Sequence, residues 1–130
     1  MYLVDTNIWL ERLLGQSGSD DVGLFLTVIP PTEILISDFS LHSVGVILGR
    51  LKCIDILPLF VSDIIDSGVG LVSIAANNLP KVINAMSSFS LDFDDAYQYV
   101  AAQQSGATII SYDKDFDRTD ISRKTPIDVL

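Results

Sequence analysis

The chain has 130 residues, 48% of them hydrophobic, and a mean hydropathy of +0.41, which is material for one core and leaves no length for a second. Its 17 acids against 8 bases give a net charge of −9, a surface that repels phosphate backbones at long range and counts against nucleic acid as a partner. No apolar run reaches the roughly 18 residues of a membrane helix, the opening residues lack the basic start of a signal peptide, and Cys53 alone forms no internal disulfide, so a cytoplasmic protein with no membrane partner is expected.

In chain order, Tyr2-Leu3-Val4 reads as a buried strand that ends at Asp5, and Thr6 is expected to cap a helix running through Ile8, Trp9 and Leu13 to Gly15. A polar loop over residues 16–21 leads into a second helix, opened by Ser19 or Asp20 and stopped by Pro30-Pro31. Ile34-Leu35-Ile36 is a second buried strand, after which Ser40 is expected to cap a helix over residues 41–51. Gly45 and Gly49 lie four apart on that helix, a spacing that permits close helix approach and is read here as core packing. Arg50 and Lys52 at its end are placed either to contact phosphate or to complement the helix dipole.

Residues 54–66, with Pro58 among them, read as a further helix, and residues 70–74 as a third strand. Pro80 suits the first turn of a helix running to about Ser88. Asp92 caps the next helix and Gly106 ends it. Residues 107–111 form the fourth strand, and residues 127–130 read as a short fifth. Short apolar strands alternating with helices predict an α/β fold, a single domain over residues 1–130 with a central parallel sheet of four to five strands covered on both faces. Ligands of such sheets bind beyond the carboxyl ends of the strands, where Asp5 and Asp113 both fall.

The acids are therefore the candidates for chemistry. Asp5-Thr6-Asn7 places oxygen-bearing side chains in a strand-to-helix turn. In the segment after Leu91, a turn of about 100° per residue puts Asp95 on the side of Tyr99 and Ala102, facing the core, and Asp94 on the side of Gln98 and Ser105, facing water. An inward carboxylate needs a cation to offset its desolvation, and the helix offers no inward Arg or Lys. The run Asp113-Lys114-Asp115-Phe116-Asp117-Arg118 fails as a calcium loop, with Arg118 where Gly and Lys124 where Glu is required. Asp115 and Asp117 read as a solvated turn, whereas Asp113 is the first acid after a buried strand. Asp5, Asp95 and Asp113 together suit a hard cation, magnesium or manganese, and such a site orients a water for phosphodiester hydrolysis. There is no Gly-x-Ser-x-Gly elbow, Cys–His pair or P-loop, and the one histidine, His42, reads as a helix-surface residue.

Three stretches resemble PIN domains, notably the VapC-type toxins: Leu3-Val4-Asp5-Thr6-Asn7-Ile8-Trp9-Leu10 their opening motif, Asp95-Ala96 with the alanine-rich helix their central one, and Gly106 through Phe116 their closing one. The resemblance implies a three-layer α/β/α PIN fold, metal-dependent cleavage of an RNA substrate, a homodimer and neutralisation by a small antitoxin. It implies catalytic, metal-binding roles for Asp5, Asp95 and Asp113, supported by Thr6 and Asn7. One position departs: Ser43 stands where the family usually places a Glu. Asp38 and Asp117 are the candidates for a substitute carboxylate. A second reading follows from Ser43 and the acidic surface, a catalytically weakened PIN-like domain that acts by binding protein or RNA. A phosphohydrolase of the haloacid dehalogenase type also opens on an Asp after a strand, but expects another Asp where this chain has Asn7.

Overall fold

The computed structural model describes residues 1–130. Five strands, β1 (Tyr2–Val4), β2 (Ile34–Ser37), β3 (Gly70–Val72), β4 (Thr108–Ile110) and β5 (Arg123–Lys124), form one sheet in the order β3-β2-β1-β4-β5. Every pairing is parallel, with Leu3 opposite both Leu35 and Ile109. Helices α1 (Thr6–Leu13), α2 (Ser19–Val28), α3 (Asp38–Arg50), α4 (Leu57–Ser67), α5 (Leu79–Phe89) and α6 (Phe93–Ser105) complete the three-layer α/β/α fold. No helix is long and apolar enough to cross a membrane.

Successive strand side chains point to opposite faces, and here they feed two separate cores. Leu3, Leu35 and Ile109 pack with Val82, Ala85, Val100 and Ala101 of α5 and α6. Val4, Ile34, Ile36 and Ile110 pack on the other face with Ile8, Phe25, Val44, Leu48 and Phe60 of α1 to α4. Both faces of the sheet are thus buried, as the continuously apolar strands require. Trp9 is fixed within the second core by its indole N–H, which donates to the Val4 carbonyl at 3.1 Å.

Several local expectations are corrected. Residues 127–130 are not a strand: Pro126–Val129 is a 3₁₀ turn closed by a capping box, in which the Thr125 N–H donates to Asp128 at 2.9 Å. The fifth strand is the preceding pair Arg123–Lys124, two charged residues without apolar alternation that pair with Ile109 and Ile110. Such residues suit an exposed sheet edge. Helix α3 starts at Asp38, earlier than expected, because Ser37 rather than Ser40 is its cap and accepts the Ser40 N–H at 3.0 Å. Asp5, not Thr6, caps α1. Gly45 lies against Leu57, whereas Gly49 faces open space, so close packing holds at only the first of the pair.

Because β2 and β3 lie on one side of β1 while β4 and β5 lie on the other, the chain changes direction at β1. This is the switch point where a parallel sheet opens a crevice beyond its strand ends.

Candidate functional site

Asp5 leaves β1 at that switch point, with its own N–H bonded to the Ile110 carbonyl at the end of β4 at 2.9 Å. Its carboxylate is almost fully buried and accepts donors on both oxygens. Oδ1 accepts the Thr6 N–H at 2.8 Å and Gln98 Nε2 at 2.9 Å. Oδ2 accepts the Ser111 hydroxyl at 2.7 Å and Asn7 Nδ2 at 3.2 Å. Burial pushes the Asp5 carboxyl above its ordinary range, opposed by the donors of Gln98, Ser111 and Thr6 and reinforced by the negative charge of Asp113.

The donors are themselves held. Gln98 also donates to Ser40 Oγ at 2.6 Å and accepts the Ser37 hydroxyl at 2.6 Å, while Thr6 Oγ1 donates to Ser40 Oγ at 2.8 Å. Ser111 Oγ accepts Asn7 Nδ2 at 3.1 Å and the Asp113 N–H at 2.9 Å. The network joins the carboxyl end of the sheet to α1, α3 and α6, and no buried side-chain nitrogen or oxygen lacks a partner. Full satisfaction of this kind fixes side-chain positions within a low-dielectric interior.

Asp5, Asp95 and Asp113 face one cleft of about 310 Å³, whose lining also includes Thr6, Asn7, Ser43, Asp94 and Gln98. Asp95 is 6% exposed, and neither ion pair of the fold reaches it. Burial, with the charges of Asp113, Asp94 and Asp5 added, pushes its carboxyl up to about 8. No cationic side chain pairs with it to favour the ionised form. The tightest set of acids is Asp95, Asp113 and Asp115, whose carboxylate oxygens lie within 4.8 Å of one another. An all-carboxylate donor set this compact matches the preference of hard divalent cations.

The sequence-predicted residues thus gather unevenly. Asp5, Asp95, Asp113, Thr6, Asn7 and Ser43 share the cleft. Asp115, read from sequence as part of a solvated turn, comes within reach of Asp95 and Asp113 while pairing with Arg118 at 2.7 Å. Asp117 is taken by Arg123, with oxygens 3.1 and 3.2 Å from its guanidinium, and does not line the cleft. That guanidinium holds the Asp117 carboxyl below its ordinary range. Asp38 is also engaged elsewhere, accepting the Tyr97 hydroxyl at 2.7 Å.

Gln98 is the main correction. Rather than facing water it is 2% exposed, within a run of eight buried residues from Asp95 to Ala102. The available signal was its position three residues after Asp95, a spacing that places both on one helical face.

Comparison with known proteins agrees with this fold. The PIN domain model matches residues 2–122. No curated protein matches the chain by sequence. Among solved structures, VapC20 of Mycobacterium tuberculosis, described as a sarcin–ricin loop cleaving toxin, superposes with a TM-score of 0.81 at 16% identity, covering 94% of this chain and 97% of that one. A toxin–antitoxin complex of Klebsiella pneumoniae gives 0.75 at 20% identity, covering 97% and 98%. VapBC2 of Rickettsia felis, bound to a promoter DNA fragment, gives 0.78 at 14% identity, covering 95% and 97%. With a family match over nearly its whole length and the fold to go with it, the chain belongs to the PIN domain family.

Proposed function

We propose that this protein is a metal-dependent endoribonuclease of the VapC type, a single PIN-like domain that serves as the toxin of a toxin–antitoxin pair. The observation that carries this reading is the convergence of Asp95, Asp113 and Asp115 beside Asp5 at the switch-point crevice. The similar structures add support, since one is a sarcin–ricin loop cleaving toxin and another a toxin–antitoxin complex. By the same likeness a small antitoxin is the expected partner, with a homodimer as the working assembly in the cytoplasm.

Asp5, Asp95 and Asp113 are the proposed catalytic, metal-holding acids, with Asp115 an added donor. Magnesium or manganese bound there would act as a Lewis acid toward the phosphodiester and lower the pKa of a bound water. The protein's own part is preorganisation. Gln98, Ser111, Asn7 and the Thr6 N–H hold both oxygens of Asp5 in one orientation. Asp95 lies largely shielded from solvent, where a charge interaction is stronger than in water. Asp113 is oriented by accepting the Asp115 N–H at 2.9 Å.

The competing reading, a weakened domain that only binds protein or RNA, draws on Ser43. We do not favour it, because Asp115 brings a further acid within reach of Asp95 and Asp113.

The test is cleavage of labelled single-stranded RNA with magnesium, manganese or EDTA, beside Asp113→Asn. Cutting that requires metal and is lost in the variant supports the nuclease. Equal cutting by Asp113→Asn, or cutting in EDTA, overturns the assignment.

A further inference from the structure

Residues four apart on a helix lie above one another, so α3 carries two adjacent rows, Phe39-Ser43-Ile47 and His42-Val46-Arg50. The first row lines the acid cleft. Both rows line a second, shallower hollow of about 450 Å³. Sharing Phe39, Ser43 and Ile47, the two hollows form one trough with acids at one end, Arg50 at the other and His42 level with Ser43 between them.

Arg50 differs from the other arginines. Arg12 donates to Ser19, Arg118 pairs with Asp115, and Arg123 pairs with Asp117. Arg50 is exposed and enters neither of the fold's ion pairs. In a chain of net charge −9, an uncommitted guanidinium beside the acid cleft is the feature that favours a polyanion locally. Guanidinium geometry also suits phosphate.

Phe39 lines both hollows and packs into an aromatic cluster with two rings beyond them. Phe39 stands 5.6 Å from Tyr97 at 34° and 6.3 Å from Phe93 at 51°. Tyr97 is anchored by its bonds to Asp38 and to the Ile74 N–H at 2.9 Å. Phe93 is 41% exposed, next in sequence to the cleft residue Asp94. These rings are held in place while one presents itself to solvent, the property of a stacking platform for unpaired bases.

We propose that this trough holds single-stranded RNA next to the scissile phosphate, with a base stacked on Phe93 beside Phe39 and a neighbouring phosphate bound by Arg50. The inference rests on the ribonuclease reading and adds the substrate path to it. Helix rise of about 1.5 Å per residue puts Arg50 roughly 10 Å along α3 from Ser43, beyond the acid cleft and within the span of the same strand. A protein occupant, whether antitoxin or second copy, would find apolar contacts at Val46 and Ile47, but it leaves the juxtaposition of free guanidinium, exposed aromatic ring and acid cleft without a purpose.

The test is fluorescence anisotropy of labelled, mixed-sequence single-stranded RNA in the Asp113→Asn background across a salt series, with light scattering on each variant. Arg50→Ala is expected to weaken binding about tenfold and to reduce the salt slope by about 0.7, with Arg50→Lys restoring the slope. Phe93→Leu, which keeps the apolar contact but removes the ring, is expected to weaken binding about tenfold with the slope unchanged. Unaltered affinity in both variants overturns the trough while parental cleavage leaves the nuclease standing. A change of molecular mass in Arg50→Ala with unaltered RNA affinity makes the trough a protein interface and also overturns it. If parent and Asp113→Asn neither bind nor cut any RNA, the ribonuclease reading falls and the trough falls with it.

Discussion

Gln98 Nε2 donates to Asp5 Oδ1 at 2.9 Å, joining the middle of α6 to the end of β1 inside the fold. The same side chain bonds Ser37 and Ser40, so one amide fixes three largely buried polar groups. Gln98→Leu keeps the bulk but strands those groups. Each unpaired buried group costs about 1–3 kcal/mol, and partial relief by the remaining donors leaves an expected loss of about 2–4 kcal/mol. A urea midpoint within error of the parent would show the network to be dispensable.

The scaffold was largely legible in the sequence because each strand is short and apolar, and each lies beside a recognisable turn or cap. Asp5 and Asp113 were legible for the same reason, since they follow buried strands. What could not be read was the lateral bonding. Ser111 reaches Asp5 across more than a hundred residues, and nothing local in Ser111 distinguishes it from a surface serine. Gln98 was misassigned because α6 is buried on every side from Asp95 to Ala102, so no polar face existed for it to occupy. The strand Arg123–Lys124 escaped notice since it pairs with β4 without any apolar pattern.

Asp95 makes metal-free stability depend on pH in an unusual direction. Its folded carboxyl is raised from 3.8 to about 8, so between those values the unfolded chain binds fewer protons than the folded one. Stability then falls as pH rises across that window. Asp5, also raised by burial, acts in the same sense. The melting temperature in EDTA is therefore expected to drop from pH 5 to pH 8, and Asp95→Asn to remove much of the drop and stabilise the metal-free protein near neutrality. Added manganese should raise the parent's melting temperature more at pH 8 than at pH 5, and should not do so in Asp95→Asn. A melting temperature that rises over this range in EDTA would contradict the assignment.

Ser43 lines the acid cleft without a carboxylate of its own. Ser43→Glu adds an oxygen donor and a negative charge, and affinity at such sites rises with ligand charge. Manganese binding by calorimetry is expected to tighten by about tenfold. The same change should lower metal-free stability, since the new charge joins Asp5, Asp95 and Asp113. Unchanged manganese affinity would mean that the Ser43 position does not reach the cation.

Asp115 and Asp117 are two residues apart, yet the fold gives them opposite surroundings. Asp115 lies within 4.8 Å of the cleft acids, and its pair with Arg118 is half exposed on both sides. An exposed i,i+3 pair contributes about 0.5 kcal/mol or less, so Asp115→Ala should leave the melting temperature nearly unchanged. Its effect belongs to the metal: the manganese-induced rise in melting temperature should shrink. Asp117 instead pairs with Arg123, whose Nη1 also donates to the Ser111 carbonyl at 3.0 Å. Asp117→Ala frees that guanidinium on one side but removes no acid from the cleft. Its manganese response should match the parent's. If the two variants respond alike to manganese, the distinction drawn between these carboxylates is wrong, and Asp115 returns to the solvated turn that its sequence suggested.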